Sequence, residues 1–249
     1  MATMRAYWLG RISYRACWDL QRAMVEAVRR GEQADSLLLL EHPSVFTMGR
    51  RGVVDHLRWS EAECVRRGVE VVWTDRGGDA TYHGPGQLVA YGIMDLPRLG
   101  TDILAYLRGL EESLVAYLAT LGIDSAPGGK GLTGVWSRSP RAGAPPEKVA
   151  AIGVKLNQTV TSHGLALNLT TDLEIFNHGI VPCGLAGRTA TSVEALGGPT
   201  VTVAEAARGY APFFARTFGV ELAWADQTEL EGLPPPPREP TLGPALKVV

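Results

Sequence analysis

Strands and helices interleave along this chain without a strict strand–helix–strand rhythm. That pattern predicts an α/β (α+β-like) fold, a single domain with a mixed β-sheet and packed helices, rather than a doubly wound parallel sheet. Three observations carry the prediction. The chain has 249 residues, 45% of them hydrophobic, which is ample for one core. Apolar runs of strand length recur at Ser36–Leu40, Leu88–Met94 and Lys148–Leu156. Helical stripes with capping signals stand between them.

In chain order, Tyr14, Cys17, Trp18, Met24, Val25 and Val28 fall on one helical face, and Gly31 is a natural stop. The N-terminus before it reads as running straight into this helix. Ser36–Leu40 is a buried strand, followed by a turn-rich, mixed-polarity segment from Glu41 to Arg50. Ser60 and Glu63 have capping-box spacing for a short helix ending near Arg67, before Gly68. Val69–Trp73 is a strand that leads into Arg76-Gly77-Gly78-Asp79-Ala80-Thr81-Tyr82-His83-Gly84-Pro85-Gly86-Gln87, a Gly-rich loop of the kind that brings backbone close to a ligand. After the strand from Leu88, Thr101 is expected to cap a helix whose stripe is Ile103, Leu104, Leu107, Leu110, Leu114, Leu118 and Leu121. Gly131–Trp136, Lys148–Leu156 and His163–Leu169 read as strands, with a Pro-rich loop over 137–147. Thr171–Gly187 reads as irregular. Thr202 and Glu205 form a second capping box for a helix that ends before Gly219. Residues 1–225 make one domain, and 226–249, with Pro234–Pro237, a Pro-rich tail.

Composition excludes several classes. A net charge of −2 argues against non-specific nucleic-acid binding. No apolar run nears the ~20 residues that a membrane span needs. Three unpaired-looking cysteines (Cys17, Cys64, Cys183) fit a reducing compartment, so a cytoplasmic location is expected. Neither HxxxH nor CxxC occurs, so no metal site is expected, and no GxxxxGK[ST] or GxGxxG nucleotide cradle is present.

Cys183, between Pro182 and Gly184, sits in a segment with no apolar period. A thiolate there can act as a nucleophile if a nearby cation lowers its pKa; an inert, small, buried residue is an equally open reading. Cys17 and Cys64 lie within amphipathic helices and read as core. Lys148 opens an apolar strand in a chain with four lysines, and a partly desolvated lysine could stabilise a thiolate. On the residues alone a solvated strand end is the plainer reading, and Lys155 is its rival. Their odd separation puts them on opposite faces of a regular strand. Of the five histidines, His83 inside the Gly-rich loop is the functional candidate, while His42 and His163 read as turn or strand-end residues.

Arg76-Gly77-Gly78, Thr81 to Gln87, Lys148 to Gly153, His163 to Asn168 and Pro182-Cys183-Gly184 together resemble, in order, the motif series of the lipoyl(octanoyl) transferases of lipoate biosynthesis. Leu9-Gly10, Tyr14 and Glu41-His42-Pro43 are similar to that family too. The resemblance implies a catalytic domain similar to the biotin and lipoate protein ligase fold. It implies that Cys183 is the acyl-thioester nucleophile and that Lys148 lowers its pKa. It also implies that Arg76 to His83 (Gly77, Gly78, Asp79, Ala80, Thr81 and Tyr82 included), Ala151, Ile152, Gly153, Gly164, Leu165 and Ala166 bind the acyl group. The implied donor is octanoyl-acyl carrier protein, with the acyl group on its phosphopantetheine and no other cofactor. The implied acceptors are lipoyl domains of 2-oxoacid dehydrogenase complexes and the glycine cleavage H protein. An ATP-dependent lipoate or biotin ligase on the same fold is the alternative, and Cys183 and His83-Gly84-Pro85-Gly86 count against it. The 137–147 loop, longer than the family leads one to expect, and the tail depart from the pattern.

Overall fold

The computed structural model of the chain describes residues 2–129, 131–138, 143–181, 187–233, 235–237 and 242. Its elements in order are β1 (Ala2–Arg11), α1 (Tyr14–Arg29), β2 (Ser36–Glu41), β3 (Val45–Met48), α2 (Glu61–Arg66), β4 (Glu70–Trp73), β5 (Ala80–His83) and β6 (Gln87–Ile93). There follow α3 (Ile103–Thr120), β7 (Ser125–Pro127), β8 (Val135–Ser137), β9 (Glu147–Asn157), β10 (Val160–Asn168), α4 (Leu173–Gly179), α5 (Val203–Phe218) and β11 (Val220–Trp224). Eight strands form the main sheet in the order β11-β1-β2-β6-β10-β9-β8-β7, and β4-β3-β5 form a small second sheet. Pairings of β1 with β11 and with β2 are parallel; those of β2 with β6, β6 with β10 and β10 with β9 are antiparallel. The mixed sheet is therefore as the sequence predicts.

Both faces of the main sheet are covered, which explains the unbroken Leu37–Leu40 run. Leu37 and Leu39 join Leu88, Ala90, Leu165 and Leu167 beneath α3 and α5. Leu38 and Leu40 point the other way, to Val89, Tyr91, Ala166 and the inner face of α1. Fully burying one such side chain stabilises by ~1.5–3 kcal/mol. The Thr202 capping box closes in both directions, and Gly219 ends α5 in the left-handed conformation.

Several elements differ from the sequence reading. Asp102, not Thr101, caps α3, accepting from the amides of Leu104 and Ala105 at 2.8 Å. Leu104 is 70% exposed and lies off the stripe. Before the first helix, β1 is a ten-residue strand; its arginines hide a pattern that makes sense only once β11 and β2 flank it. Within the expected irregular stretches stand β3 and α4, the latter capped by Asp172. β5 lies inside the Gly-rich stretch and pairs with β3. Past Asp226 the chain makes a helical turn, Gln227–Leu230, whose Leu230 is buried against the α1 side of the core, and Leu242 packs on Tyr14, Trp18, Val45 and Val72. Pro182–Ala186, most of the tail, and residues 139–142 of the Pro-rich loop lie outside the described residues.

Candidate active site

A cavity of about 210 Å³ opens where the small sheet meets β9 and β10. Two glycine contacts bring its walls together. The Gly77 amide donates to the Val154 carbonyl at 2.9 Å, and a Cβ on Gly153 would stand 2.8 Å from the Gly77 carbonyl oxygen. Only hydrogen at these positions lets the 76–78 turn lie on β9. Arg76 ties that turn to β3: its guanidinium donates to the carbonyls of Thr47 (2.5 Å), Asp79 (2.6 Å) and Gly77 (3.0 Å) and to Thr47 Oγ1. On β5 the two-residue alternation turns Thr81 and His83 into the cavity. Tyr82 turns the other way, its hydroxyl paired with Ser44 and its ring set against Phe46 and Phe176.

Behind His83 runs a buried polar chain. His83 Nδ1 donates to Gln87 Oε1 at 2.8 Å, since the Gln87 amide nitrogen is engaged with Tyr82 O and Asn168 Oδ1. Its ring stacks on Tyr14 and meets His42 edge-on. His42 bridges the Ile12 carbonyl (2.7 Å) and the Tyr91 hydroxyl (3.0 Å). His163, in the left-handed conformation at φ 58° inside β10, is 2.8 Å from Asp75, which also pairs with Lys155 at 2.6 Å. Burial lowers the pKa of all three imidazoles, His42 to about 4, and His83 is lowered further by its neighbour His42. Burial alone would raise Asp75, but hydrogen bonds from His163 and Lys155 outweigh it and hold the carboxyl well below its usual range. Of these groups His83 and His163 face the cavity, while His42 and the Asp75–Lys155 pair stand behind them.

Lys148 reaches the same cavity from the start of β9. Its Nζ donates to the Thr133 carbonyl at 2.9 Å and lies 4.7 Å from the centre of the Trp136 ring. The Lys148 backbone exchanges hydrogen bonds with Thr189 and Thr191, at 3.0 and 2.9 Å. On the other side of the Cys183 segment, the Val181 amide donates to His56 O at 2.8 Å, and His56 Nδ1 is 2.8 Å from the Asp79 carboxylate. One flank is thus fastened to Lys148 at the cavity wall, and the other to His56, whose ring meets the lining residue Asp79. Cys183 itself lies outside the described residues.

Residues 13–214 match the family described as the lipoyl protein ligase A/B catalytic domain. An octanoyltransferase of Chloroflexus aurantiacus is 46% identical over 222 residues, covering 89% of this chain and 96% of the relative. One of Roseiflexus sp. is 45% identical over 226 residues, covering 90% of each. The chain belongs to the lipoyl protein ligase A/B catalytic domain family, among its octanoyltransferases. The fold is also shared with lipoate ligases of low identity. A bi-partite lipoate protein ligase of Thermoplasma acidophilum, in a study that includes its E2 lipoyl domain, superposes with TM-score 0.69 at 20% identity, over 93% of this chain and 89% of that one. A lipoate-protein ligase A bound with ATP gives 0.71 at 18% identity, over 93% and 91%.

Within this octanoyltransferase fold, the structure brings to one cavity Arg76, Gly78, Asp79, Ala80, Thr81, His83, Lys148 and the triplets Ala151 to Gly153 and Gly164 to Ala166. Gly77 and Tyr82 are not on its surface: Gly77 is a spacer, and Tyr82 faces the small-sheet core. Tyr14, Arg51, Tyr91, His163 and the turn at Gly131, Leu132 and Thr133 line the cavity unforeseen. For His163 a signal existed, a His-Gly step like His83-Gly84, but the alternation around it reads as an ordinary strand end. Cys17 and Cys64 are buried and free, and burial raises both thiols. Among the described residues no three His, Cys, Asp or Glu side chains gather as a metal site, and no helix is long and apolar enough to cross a membrane.

Proposed function

We propose that this octanoyltransferase takes its acyl group from octanoyl-acyl carrier protein and passes it, through a thioester on Cys183, to a lysine of a lipoyl domain. The observation that supports the reading is Lys148 at the wall of a cavity with a partly apolar lining, its backbone hydrogen-bonded to Thr189 and Thr191, a few residues after Cys183 in the chain. The Cys183 thiolate attacks the thioester carbonyl, a new C–S bond forms, and the phosphopantetheine thiolate leaves and takes up a proton. The acceptor amine then attacks, the amide C–N bond forms, the Cys183 thiolate leaves, and the amine proton passes to Lys148, which is neutral once its ammonium has protonated the departed phosphopantetheine thiolate. Exchange between thioesters is nearly thermoneutral and amide formation is downhill, so the cycle draws its energy from the donor without ATP or a further cofactor. Lys148 supplies the charge that favours the thiolate over a thiol with an ordinary pKa of ~8.5.

Ala80, Leu132, Ala151, Ile152, Leu165 and Ala166 give the slot its apolar surface. At ~0.8 kcal/mol per buried CH₂, octanoyl is favoured over short acyl groups by several kcal/mol. His83 shapes this slot as a neutral ring and ligates no metal. The acceptors are lipoyl domains of 2-oxoacid dehydrogenase complexes and the glycine cleavage H protein, encountered in the cytoplasm; neither nucleic acid nor membrane takes part. Incubating enzyme, octanoyl carrier protein and a lipoyl domain without ATP tests the reading. Octanoylation of the target lysine is expected. Transfer that appears only with free octanoate and ATP would assign the chain to the ligases.

A further inference from the structure

Glu111 lies on α3 with no exposed surface. A buried carboxylate is costly to desolvate, and one that the fold tolerates needs strong partners. Its Oε1 accepts from the Gly134 amide at 2.9 Å, and its Oε2 from Arg108 Nη1 at 2.5 Å. Gly134 is not a neutral place for such a bond. Its φ is 117°, and a Cβ there would stand 2.6 Å from the Ala150 carbonyl, 3.4 Å from Lys148 Cε and 3.5 Å from Lys148 Nζ. The preceding residue, Thr133, offers the carbonyl that holds Lys148 Nζ. The turn is also fastened on its outer side, where Trp136 Nε1 donates to Leu132 O at 3.0 Å. Arg108, the other partner of Glu111, has a side chain 58% exposed, so the buried end of this arrangement points at the turn.

We propose that Glu111 is a positioning residue, which holds the 131–134 turn against β9 and so fixes Nζ of Lys148 at the wall of the acyl cavity. The proposal rests on the reading of Lys148 as the group that activates Cys183. Glu111 touches no reacting atom; it acts through the Gly134 amide and the Thr133 carbonyl. Removing the acceptor frees the turn, and Lys148 loses its fixed seat. A charge misplaced by about 1 Å can cost up to about a hundredfold in rate.

The test compares Glu111→Leu, Glu111→Gln and Lys148→Ala in the full chain. Two quantities are read: the rate of Cys183 alkylation by iodoacetamide against pH, and acylation of Lys148 by a succinimidyl ester, mapped on peptides. Glu111→Leu is expected to raise Lys148 labelling severalfold, move the alkylation midpoint up in the same direction as Lys148→Ala, and lower kcat about tenfold with KM for the carrier unchanged. Glu111→Gln keeps an oxygen for Gly134 and should stay near wild type in both readouts. If Glu111→Leu fails to fold, Glu111→Ser replaces it; that side chain is too short to reach Gly134 and can bond a helix carbonyl instead, as Ser113 does with Leu110. A folded variant without the acceptor, in which labelling and midpoint match wild type while Lys148→Ala shifts the midpoint, overturns the positioning role alone. An unmoved midpoint in Lys148→Ala overturns the reading of Lys148 and this proposal with it.

Discussion

At the scale of single residues, burial decides which groups carry charge. His42 is fully enclosed between the Ile12 carbonyl and the Tyr91 hydroxyl, and its pKa falls from about 6.5 to about 4. Above pH 6.5 the ring is neutral in both folded and unfolded chains. As pH falls from there, the unfolded chain takes up a proton that the folded one refuses, so stability is lost until the folded ring titrates near pH 4. The loss from this one group amounts to about 3 kcal/mol. His42→Gln, which can still bond both neighbours, should flatten the decline between pH 7 and 4 by roughly that amount when urea unfolding is followed at several pH values; an unchanged slope would mean that His42 is not held neutral. The two lysines on β9 show what parity alone can achieve. Seven residues apart, they face different surroundings: Lys148 reaches the cavity, while Lys155 pairs with Asp75. Which face meets the cavity depends on β8 and the 131–134 turn, and no spacing rule contains that. His163 was misread for a related reason. Its left-handed backbone leaves no mark in the amino-acid pattern.

At the scale of elements, close backbone approach sets the cavity's shape. Gly164 lies in β10 beside β6, and a Cβ on it would meet the Ala90 carbonyl oxygen at 2.1 Å. Gly164→Ala should therefore force the two central strands apart and lower stability by about 1–3 kcal/mol or more, with a matching drop in melting temperature. A variant with unchanged melting behaviour would show that the strands accommodate the methyl group. Helices were legible where their signals were local: Thr202 with Glu205, Ser60 with Glu63, Gly31, Gly68 and Gly219. The elements that escaped were those whose partners are distant. β1 needs β11, more than two hundred residues away in the chain, and β5 needs β3 to turn a Gly-rich stretch into a strand. Their apolar alternation is weak because each has one edge or face that long-range pairing alone completes.

At the scale of the whole molecule, a two-faced mixed sheet holds a cavity against a small second sheet, and the chain on either side of residues 182–186 is fastened to His56 and to Lys148. The fold class and the outline of the cavity-lining segments were readable because motif order survives in the sequence. The polar wall of Tyr14, Tyr91 and His163 was not, since it is assembled from α1, β6 and β10. The most direct test of the proposed ping-pong chemistry is the intact mass of the enzyme after incubation with octanoyl-acyl carrier protein alone, with the adduct mapped to a peptide. One octanoyl group on Cys183, labile to hydroxylamine, absent from Cys183→Ala and discharged on adding a lipoyl domain, is the predicted result; no adduct, or one on Cys17 or Cys64 that survives in Cys183→Ala, would contradict it.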